Sequence, residues 1–178
     1  INEISARGLA SGRMLDLCAG SGCIGTAILK TLPNIMVDFV EIEELHHSTI
    51  QKNILQNGID IQRARIMGGN LFEHVSDTYD YILTNPPYID KDLGRTDPEV
   101  ILHEPEKALF GGQNGVEIIQ AILERAPHFL TREGVLYIEH EPEQQDTIHQ
   151  FGKTHFPHIE TRNDQYGIPR FTRLARTT

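Results

Sequence analysis

At 178 residues the chain is long enough to bury a core without disulfide bonds, and it fits a single domain. Its formal net charge is −9 and its arginines are scattered, apart from a loose group near the end, so nucleic acid is disfavoured as a direct substrate. No apolar run approaches the roughly 18 residues that cross a bilayer, and no signal peptide is visible. We therefore expect no membrane partner and no secretion, with the bacterial cytoplasm and the mitochondrial matrix both compatible.

Short apolar runs alternate with segments of helical periodicity along the chain. In chain order, the predicted elements are strand Arg13–Cys18, helix Cys23–Leu32, strand Ile35–Ile42, helix Glu43–Gln56, strand Arg63–Met67, a strand from Tyr79 that stops at Asn85, helix Gly115–Leu130, strand Gly134–His140, helix Glu143–His155 and a final strand pair within His158–Arg176. This alternation predicts an α/β fold: a Rossmann-like, doubly wound, mainly parallel sheet with an antiparallel C-terminal strand pair.

A glycine-rich segment joins the first strand to the first helix. Asp16–Gly25 reads D-L-C-A-G-S-G-C-I-G and contains G-x-G-x-x-G, and Glu41 stands at the end of the next strand. This pattern is typical of a site for an adenosine-type ligand, where glycines allow close approach and the acidic residue accepts from ribose hydroxyls. The flanking Cys18 and Cys23 have no partners at zinc-finger spacing, so we expect small buried thiols and no metal site.

The charge of this segment discriminates between two ligands. A dinucleotide places its pyrophosphate at the helix N-terminus, where a carboxylate at Asp16 would be badly placed. S-adenosylmethionine carries a sulfonium and an ammonium, which a nearby carboxylate favours. Asp16 and Glu41 therefore favour the methyl donor, with NAD as the alternative.

A stiff loop follows the strand that begins at Tyr79. The chain reads I-L-T-N-P-P-Y up to Tyr88, and the two prolines cannot donate to a sheet ladder, so the chain must leave the sheet here. Open α/β sheets bind their ligands at this end of the strands. The loop offers an amide side chain (Asn85), a proline carbonyl (Pro86) and an aromatic ring (Tyr88).

Together, D-L-C-A-G-S-G, the acidic end of the second strand and N-P-P-Y resemble a class I S-adenosylmethionine-dependent methyltransferase. The run H-E-P-E-K-A-L-F-G-G-Q-N-G-V, His103–Val116, is similar to the HemK/PrmC-type protein-glutamine methyltransferases. That family methylates the side-chain amide nitrogen of a Gly-Gly-Gln glutamine in peptide-chain release factors. The resemblance extends from Arg13 to Arg176, and the closing N-D-Q-Y-G-I-P-R-F looks more like the release-factor branch than the branch that modifies a ribosomal protein.

The resemblance implies a role for each matching position. The catalytic positions are Asn85, Pro86, Pro87 and Tyr88, where the Asn85 oxygen and the Pro86 carbonyl accept the two amide N–H groups and Tyr88 packs on the planar amide. The positions implied to contact the donor are Asp16, Cys18, Ala19, Gly20, Ser21, Gly22, Glu41, Asn70, Leu71 and Asn85.

The sequence departs from the family pattern in two features. Family members carry an upstream helical domain, so residues 1–12 are expected to be a residual linker from a missing upstream region and residues 13–178 the catalytic domain. Asn70 stands where the family usually has aspartate, which predicts weaker binding of the adenine amino group of the methyl donor. The alternatives are a glutamine methyltransferase of a ribosomal protein, an adenine-amino methyltransferase of DNA or RNA, and a non-catalytic or NAD-binding Rossmann module.

Overall fold

The computed structural model describes residues 4–5, 11–87 and 116–177. Tyr88 and the H-E-P run from His103 to Gly115 therefore lie outside the described residues. The chain divides into two compact units, the first formed by Ile1–Thr84 with Phe129–Gly134 and the second by Asn85–His128 with Val135–Thr178. No helix among the described residues has the length and apolar character needed to span a membrane.

Seven strands follow the order β3-β2-β1-β4-β5-β7-β6. Their bounds are β1 Gly12–Leu17, β2 Ile35–Glu41, β3 Ala64–Gly68, β4 Tyr79–Thr84, β5 Leu130–Glu139, β6 His158–Asn163 and β7 Pro169–Ala175. β1 pairs in parallel with both β2 and β4, and β2 pairs in parallel with β3, whereas β7 is antiparallel to both β5 and β6. The predicted fold class, a mainly parallel sheet with an antiparallel C-terminal pair, is confirmed.

The first unit is a parallel sheet with two helices, α1 Cys23–Thr31 and α2 Glu44–Gln56. Its strands β1 and β2 are buried on both faces: Leu15, Leu17 and Phe39 are fully buried. Arg63 stabilises the end of α1, because its guanidinium donates to the carbonyls of Leu29 and Leu32 at 2.9 and 2.5 Å.

The second unit contains α3 Glu117–Arg125 and α4 Gln145–Gly152, with the end of β5 and the pair β6–β7. The backbone N–H of His140, just after β5, donates to the carbonyl of Arg170 in β7 at 2.9 Å. The turn between β6 and β7 is closed by Asp164, whose carboxylate accepts from the N–H groups of Tyr166 and Ile168 at 2.8 and 3.0 Å.

Two predicted helices are longer than the helices that form. The helix predicted for Gly115–Leu130 ends at Arg125, because Pro127 disfavours continued α-helix and the chain tightens into the 3-10 turn Ala126–His128. Leu130 then begins β5, four residues before the predicted start. The helix predicted for Glu143–His155 is reduced to α4, preceded by the 3-10 turn Pro142–Gln144.

Candidate functional site

The carboxyl end of β1 is the point at which the strand order reverses. Leu17, the last residue of β1, lies in register with Val40 of β2 on one side and Thr84 of β4 on the other. The chain runs outward from β1 to β2 and β3 and then returns to the opposite side as β4. Open α/β sheets bind their ligands at such a switch point, outside the carboxyl ends of the strands.

The glycine loop, Cys18–Gly22, leaves β1 at this point. Cys18, Gly20 and Gly22 have left-handed backbone conformations, with φ of 58°, 54° and 74°. The N–H of Ala19 donates to the carbonyl of Val40 at 3.0 Å, and the N–H of Gly22 donates to the carbonyl of Ala19 at 2.7 Å. These bonds hold a tight turn that carries the chain from β1 into α1.

Glu41 closes the loop from the end of β2. Glu41 is only 6% exposed, and its carboxylate accepts the N–H of Gly20 on Oε2 at 2.7 Å and the N–H of Glu43 on Oε1 at 2.9 Å. The carboxylate predicted to accept from a ribose thus also ties the glycine loop to the start of α2. Each carboxylate oxygen has more than one lone pair, so further donors can still bind.

Asp16 lies in β1, two residues before the glycine loop. It is 1% exposed, and its Oδ2 accepts the N–H of Gly25 in α1 at 2.8 Å. Burial raises the pKa of Asp16 to about 7, helped by the negative charge of Glu41 and opposed by the Gly25 hydrogen bond. The charge that the sequence argument assigned to Asp16 is therefore only partly present at neutral pH, and Glu41 is the more exposed of the two carboxylates.

The two cysteines differ in environment. Cys18 is half-buried, and burial raises the pKa of its thiol to about 12, with the carboxylates of Glu41 and Asp16 adding to the shift and the Thr84 hydroxyl opposing it. Cys18 is therefore a neutral thiol. Cys23 is exposed at the start of α1, so the prediction that both thiols are buried is wrong for Cys23.

The three glycines of G-x-G-x-x-G have different surroundings. A Cβ on Gly25 would lie 2.3 Å from Cε1 of Phe39, so this glycine allows α1 to pack on β2. A Cβ on Gly22 would lie 3.0 Å from Ile50 in α2. A Cβ on Gly20 would meet no atom of the described residues within 4 Å, so this part of the structure leaves space next to Gly20, as a ligand approaching the backbone requires.

Asn70 and Leu71 follow β3 at the same sheet edge. Gly68 at the end of β3 lies in register with Glu41. Asn70 is exposed, and Leu71 has a left-handed backbone with φ of 52°, which is costly for a branched side chain. The next residue, Phe72, is 1% exposed and stacks on Phe129 at a centroid distance of 4.7 Å, which anchors this strained turn.

The N-P-P-Y segment is described up to Pro87. Asn85 follows directly on Thr84, the last residue of β4, and its side chain is exposed, whereas Pro86 is buried and Pro87 is half-buried. The chain leaves the sheet here, as the two prolines predict. Tyr88 lies outside the described residues, so its predicted contact stays a prediction.

Two residues of α2 at the glycine loop were not singled out from the sequence as site residues. Asn53 donates from Nδ2 to the carbonyl of Ser21 at 2.9 Å, and Ile50 packs against Gly22. Ile42, next to Glu41, is 47% exposed. A signal for Asn53 is its type, because asparagine is a poor residue for a helix interior.

Comparison with known proteins gives the family. The model of the methyltransferase small domain matches residues 1–168. The ribosomal protein uL3 glutamine methyltransferase of Neisseria meningitidis serogroup B is 38% identical over 125 residues, which cover 70% of this chain and 41% of that protein. The release factor glutamine methyltransferase of Geobacter sulfurreducens is 35% identical over 173 residues, which cover 96% of this chain and 60% of that protein. The chain thus spans about half the length of these relatives.

Solved structures agree on the fold. A methyltransferase from Pyrococcus furiosus has a TM-score of 0.72 at 18% identity, covering 99% of this chain and 82% of that chain. A 16S rRNA N2 G1207 methyltransferase from Thermus thermophilus, solved with AdoMet and guanosine, has a TM-score of 0.70 at 18% identity, covering 99% of this chain and 40% of that chain. At this identity the likeness is one of fold. The resemblance to glutamine methyltransferases is confirmed by the named relatives, and the chain belongs to the methyltransferase small domain family.

Proposed function

We propose that this chain is the catalytic domain of an S-adenosylmethionine-dependent protein-glutamine methyltransferase. Its substrate in this proposal is the Gly-Gly-Gln glutamine of a peptide-chain release factor. The observation that carries the proposal is the glycine loop closed by Glu41, with open space at Gly20, in a chain whose named relatives act on glutamine.

The residues at the loop fit S-adenosylmethionine. Glu41 offers carboxylate oxygens for ribose hydroxyls, and exposed Ile42 beside it offers an apolar surface for a purine face. A cationic ligand lowers the pKa of a nearby carboxyl group, so binding would favour the charged form of Asp16. When bound, the donor supplies a methyl group on a positively charged sulfur. We propose that Cys18, Ala19, Gly20, Ser21, Gly22, Glu41, Asn70 and Leu71 line this site and that Asp16 supports it from below.

The task left to the protein is to orient the glutamine amide. Its nitrogen is a poor nucleophile because the lone pair is delocalised into the carbonyl, so holding it in the reactive geometry is the main contribution available. We propose that the Asn85 side-chain oxygen and the Pro86 carbonyl accept the two N–H groups. Pro86 and Pro87 restrict the backbone of this segment, which keeps the two acceptors at a fixed separation.

No general base is assigned in this proposal. The amide nitrogen becomes acidic once it carries the methyl group, so its proton can pass to water. The proposal therefore predicts that kcat does not change when His46 or His47, the histidines next to Glu41, is substituted.

The choice of a release factor over ribosomal protein uL3 rests on the end of the chain. The release-factor relative aligns over 96% of this chain, whereas the uL3 relative aligns over 70%. The turn with Asp164 and Gly167 belongs to N-D-Q-Y-G-I-P-R-F, the segment whose pattern favours the release-factor branch. Ribosomal protein uL3 is the second candidate because several similar relatives are named for it.

The test uses labelled S-adenosylmethionine with a purified release factor, with uL3 and with adenine-containing DNA and RNA. The matched control is the release factor with its motif glutamine replaced by alanine. We expect label in the unaltered release factor alone. Label that survives the replacement contradicts the glutamine assignment, label in uL3 alone transfers the assignment to uL3, and label in nucleic acid supports the adenine alternative. Calorimetry that detects NAD binding and no S-adenosylmethionine binding would support the alternative of a non-catalytic or NAD-binding Rossmann module.

A further inference from the structure

Helix α2 packs against the glycine loop. This helix begins next to Glu41, whose Oε1 accepts the N–H of Glu43, and it reaches the glycine loop two turns later. There the Nδ2 of Asn53 donates to the carbonyl of Ser21 at 2.9 Å. One helix therefore contacts both the carboxylate and the loop of the candidate donor site.

The hydrogen bond from Asn53 completes the fixation of one peptide unit. The unit between Ser21 and Gly22 has its carbonyl bound by Asn53, and its N–H donates to the carbonyl of Ala19 at 2.7 Å. Gly22 has φ of 74°, and a glycine in this region can change conformation with little steric resistance. A peptide held at both polar ends cannot rotate without breaking a hydrogen bond.

Ile50 supports the same point of the loop. It is fully buried, and a Cβ placed on Gly22 would lie 3.0 Å from its Cγ1 and Cγ2 atoms. Ile50 and Asn53 are three residues apart on α2, so they share one face of the helix. That face touches the loop at two consecutive residues, Ser21 and Gly22.

We propose that Asn53 is a positioning residue for the methyl donor. It holds the Ser21–Gly22 peptide in the conformation that the donor needs before the donor arrives, so that binding does not include the cost of ordering the loop. This inference rests on the proposed function. Asparagine is a poor helix former, and the Asn53 side chain donates its hydrogen bond to the glycine loop.

The experiment measures S-adenosylmethionine binding by calorimetry for the unaltered chain and for Asn53→Ala and Asn53→Asp. Alanine removes the donor group, and aspartate keeps the size but offers no N–H. The control is Asn57→Ala, at the residue that caps the C-terminus of α2. It removes an amide that donates at 2.8 Å to the backbone carbonyl of Asn53 and not to the loop. Thermal unfolding and amide hydrogen exchange at Gly22 are measured without donor.

We expect both Asn53 variants to raise the dissociation constant about three- to tenfold, the range set by losing one hydrogen bond. Exchange at Gly22 should accelerate, while the melting temperature of Asn53→Ala stays at or above that of Asn57→Ala, because alanine favours the helix. Equal donor affinity in Asn53→Ala and the unaltered chain overturns the inference, as does an equal loss in Asn57→Ala. Failure of the unaltered chain to bind the donor overturns the proposed function itself.

Discussion

The buried carboxylate of Asp16 accepts the backbone N–H of Gly25 at 2.8 Å, which joins the end of β1 to the first turn of α1 beneath the glycine loop. The same burial raises the pKa of Asp16 to about 7. In the unfolded chain this carboxyl has its usual pKa of 3.8. Between these two values the folded protein retains a proton that the unfolded chain has lost.

The first prediction concerns the pH dependence of unfolding. Stability depends on pH through the difference in bound protons, so the contribution of Asp16 is fully present below pH 3.8 and is lost as pH rises to about 7. Asp16→Asn removes this titration. We expect the free energy of unfolding, measured in urea at pH 5, 6 and 7, to fall more steeply for the unaltered chain than for the variant, by about 1.4 kcal/mol per pH unit at most. Parallel curves for the two proteins would show that Asp16 titrates at its ordinary pKa.

The second prediction separates two glycines of one motif. Gly20→Ala places a methyl group where none of the described residues comes within 4 Å, but it must adopt φ of 54°, at a cost of about 1–2 kcal/mol. Its methyl group would occupy the space next to the backbone. Gly25→Ala drives a methyl group into Phe39 and Val37, which overpacks the core by about 1–3 kcal/mol or more.

The measurements are S-adenosylmethionine binding and urea unfolding. Gly20→Ala should lose affinity at least tenfold with a modest loss of stability, and Gly25→Ala should show the larger loss of stability. A Gly20→Ala protein with unchanged donor affinity would mean that no ligand approaches this residue. A Gly25→Ala protein as stable as the unaltered chain would contradict the packing role.

The elements that bring these residues together could be predicted because their boundaries are local. Pro33 and Asn57-Gly58 end α1 and α2, and the two prolines end β4, since each acts through its own backbone. The helix before β5 was predicted too long because the apolar spacing continues through Leu130. At the start of β5, however, the N–H of Tyr79 donates to the carbonyl of Phe129 at 2.8 Å, and this hydrogen bond favours β-strand over helix.

Part of the candidate site could also be predicted because its signals are local in the sequence, and part could not. The loop and Glu41 are identified by spacing between a strand and a helix. The contact from Asn53 to Ser21 joins residues 32 positions apart, so it depends on how α2 packs. The raised pKa of Asp16 also depends on burial, which converts a predicted charge into a partly protonated group.

The third prediction concerns a network of hydrogen-bonded side chains in the second unit, of which His140 and Thr172 are buried. His140 is fully buried, its Nδ1 lies 2.8 Å from the carbonyl of Glu141, and its Nε2 lies 2.8 Å from the Thr172 hydroxyl. The Thr172 and Thr161 hydroxyls lie 2.7 Å apart, and His149 Nε2 lies 2.8 Å from Thr161. Because a carbonyl only accepts, Nδ1 carries the proton in neutral His140 and Thr172 donates to Nε2.

Thr172→Val should therefore leave the His140 ring nitrogen and the Thr161 hydroxyl without this partner and lower the free energy of unfolding by about 1–3 kcal/mol. Thr154→Val, at an exposed position, is the control and should change it by less than about 0.5 kcal/mol. Burial lowers the pKa of His140, with Arg170 and His149 adding to the effect and Glu141 opposing it. Imidazole nitrogen chemical shifts should report a neutral ring protonated on Nδ1 at neutral pH, and a ring protonated on Nε2 alone would contradict the assigned direction.

The fourth prediction tests the proposed amide clamp. Asn85 is exposed, so Asn85→Ala removes an acceptor without opening a cavity, and the melting temperature should stay close to that of the unaltered chain. Turnover of the protein substrate at saturating donor should fall about a hundredfold or more, because a misplaced nucleophile loses rate steeply. Donor affinity should change by less than about twofold, which calorimetry measures separately.

The matched control is Asn34→Ala, another exposed asparagine, in the turn between α1 and β2, and it should retain full turnover. Retained turnover in Asn85→Ala would remove this side chain from the reaction. A loss of donor affinity with turnover retained at saturating donor would instead assign Asn85 to donor binding, the second role that the resemblance implies for it. The separation of kcat from donor affinity therefore decides which of the two roles Asn85 has, since a group that only binds the donor leaves kcat unchanged once the donor site is saturated.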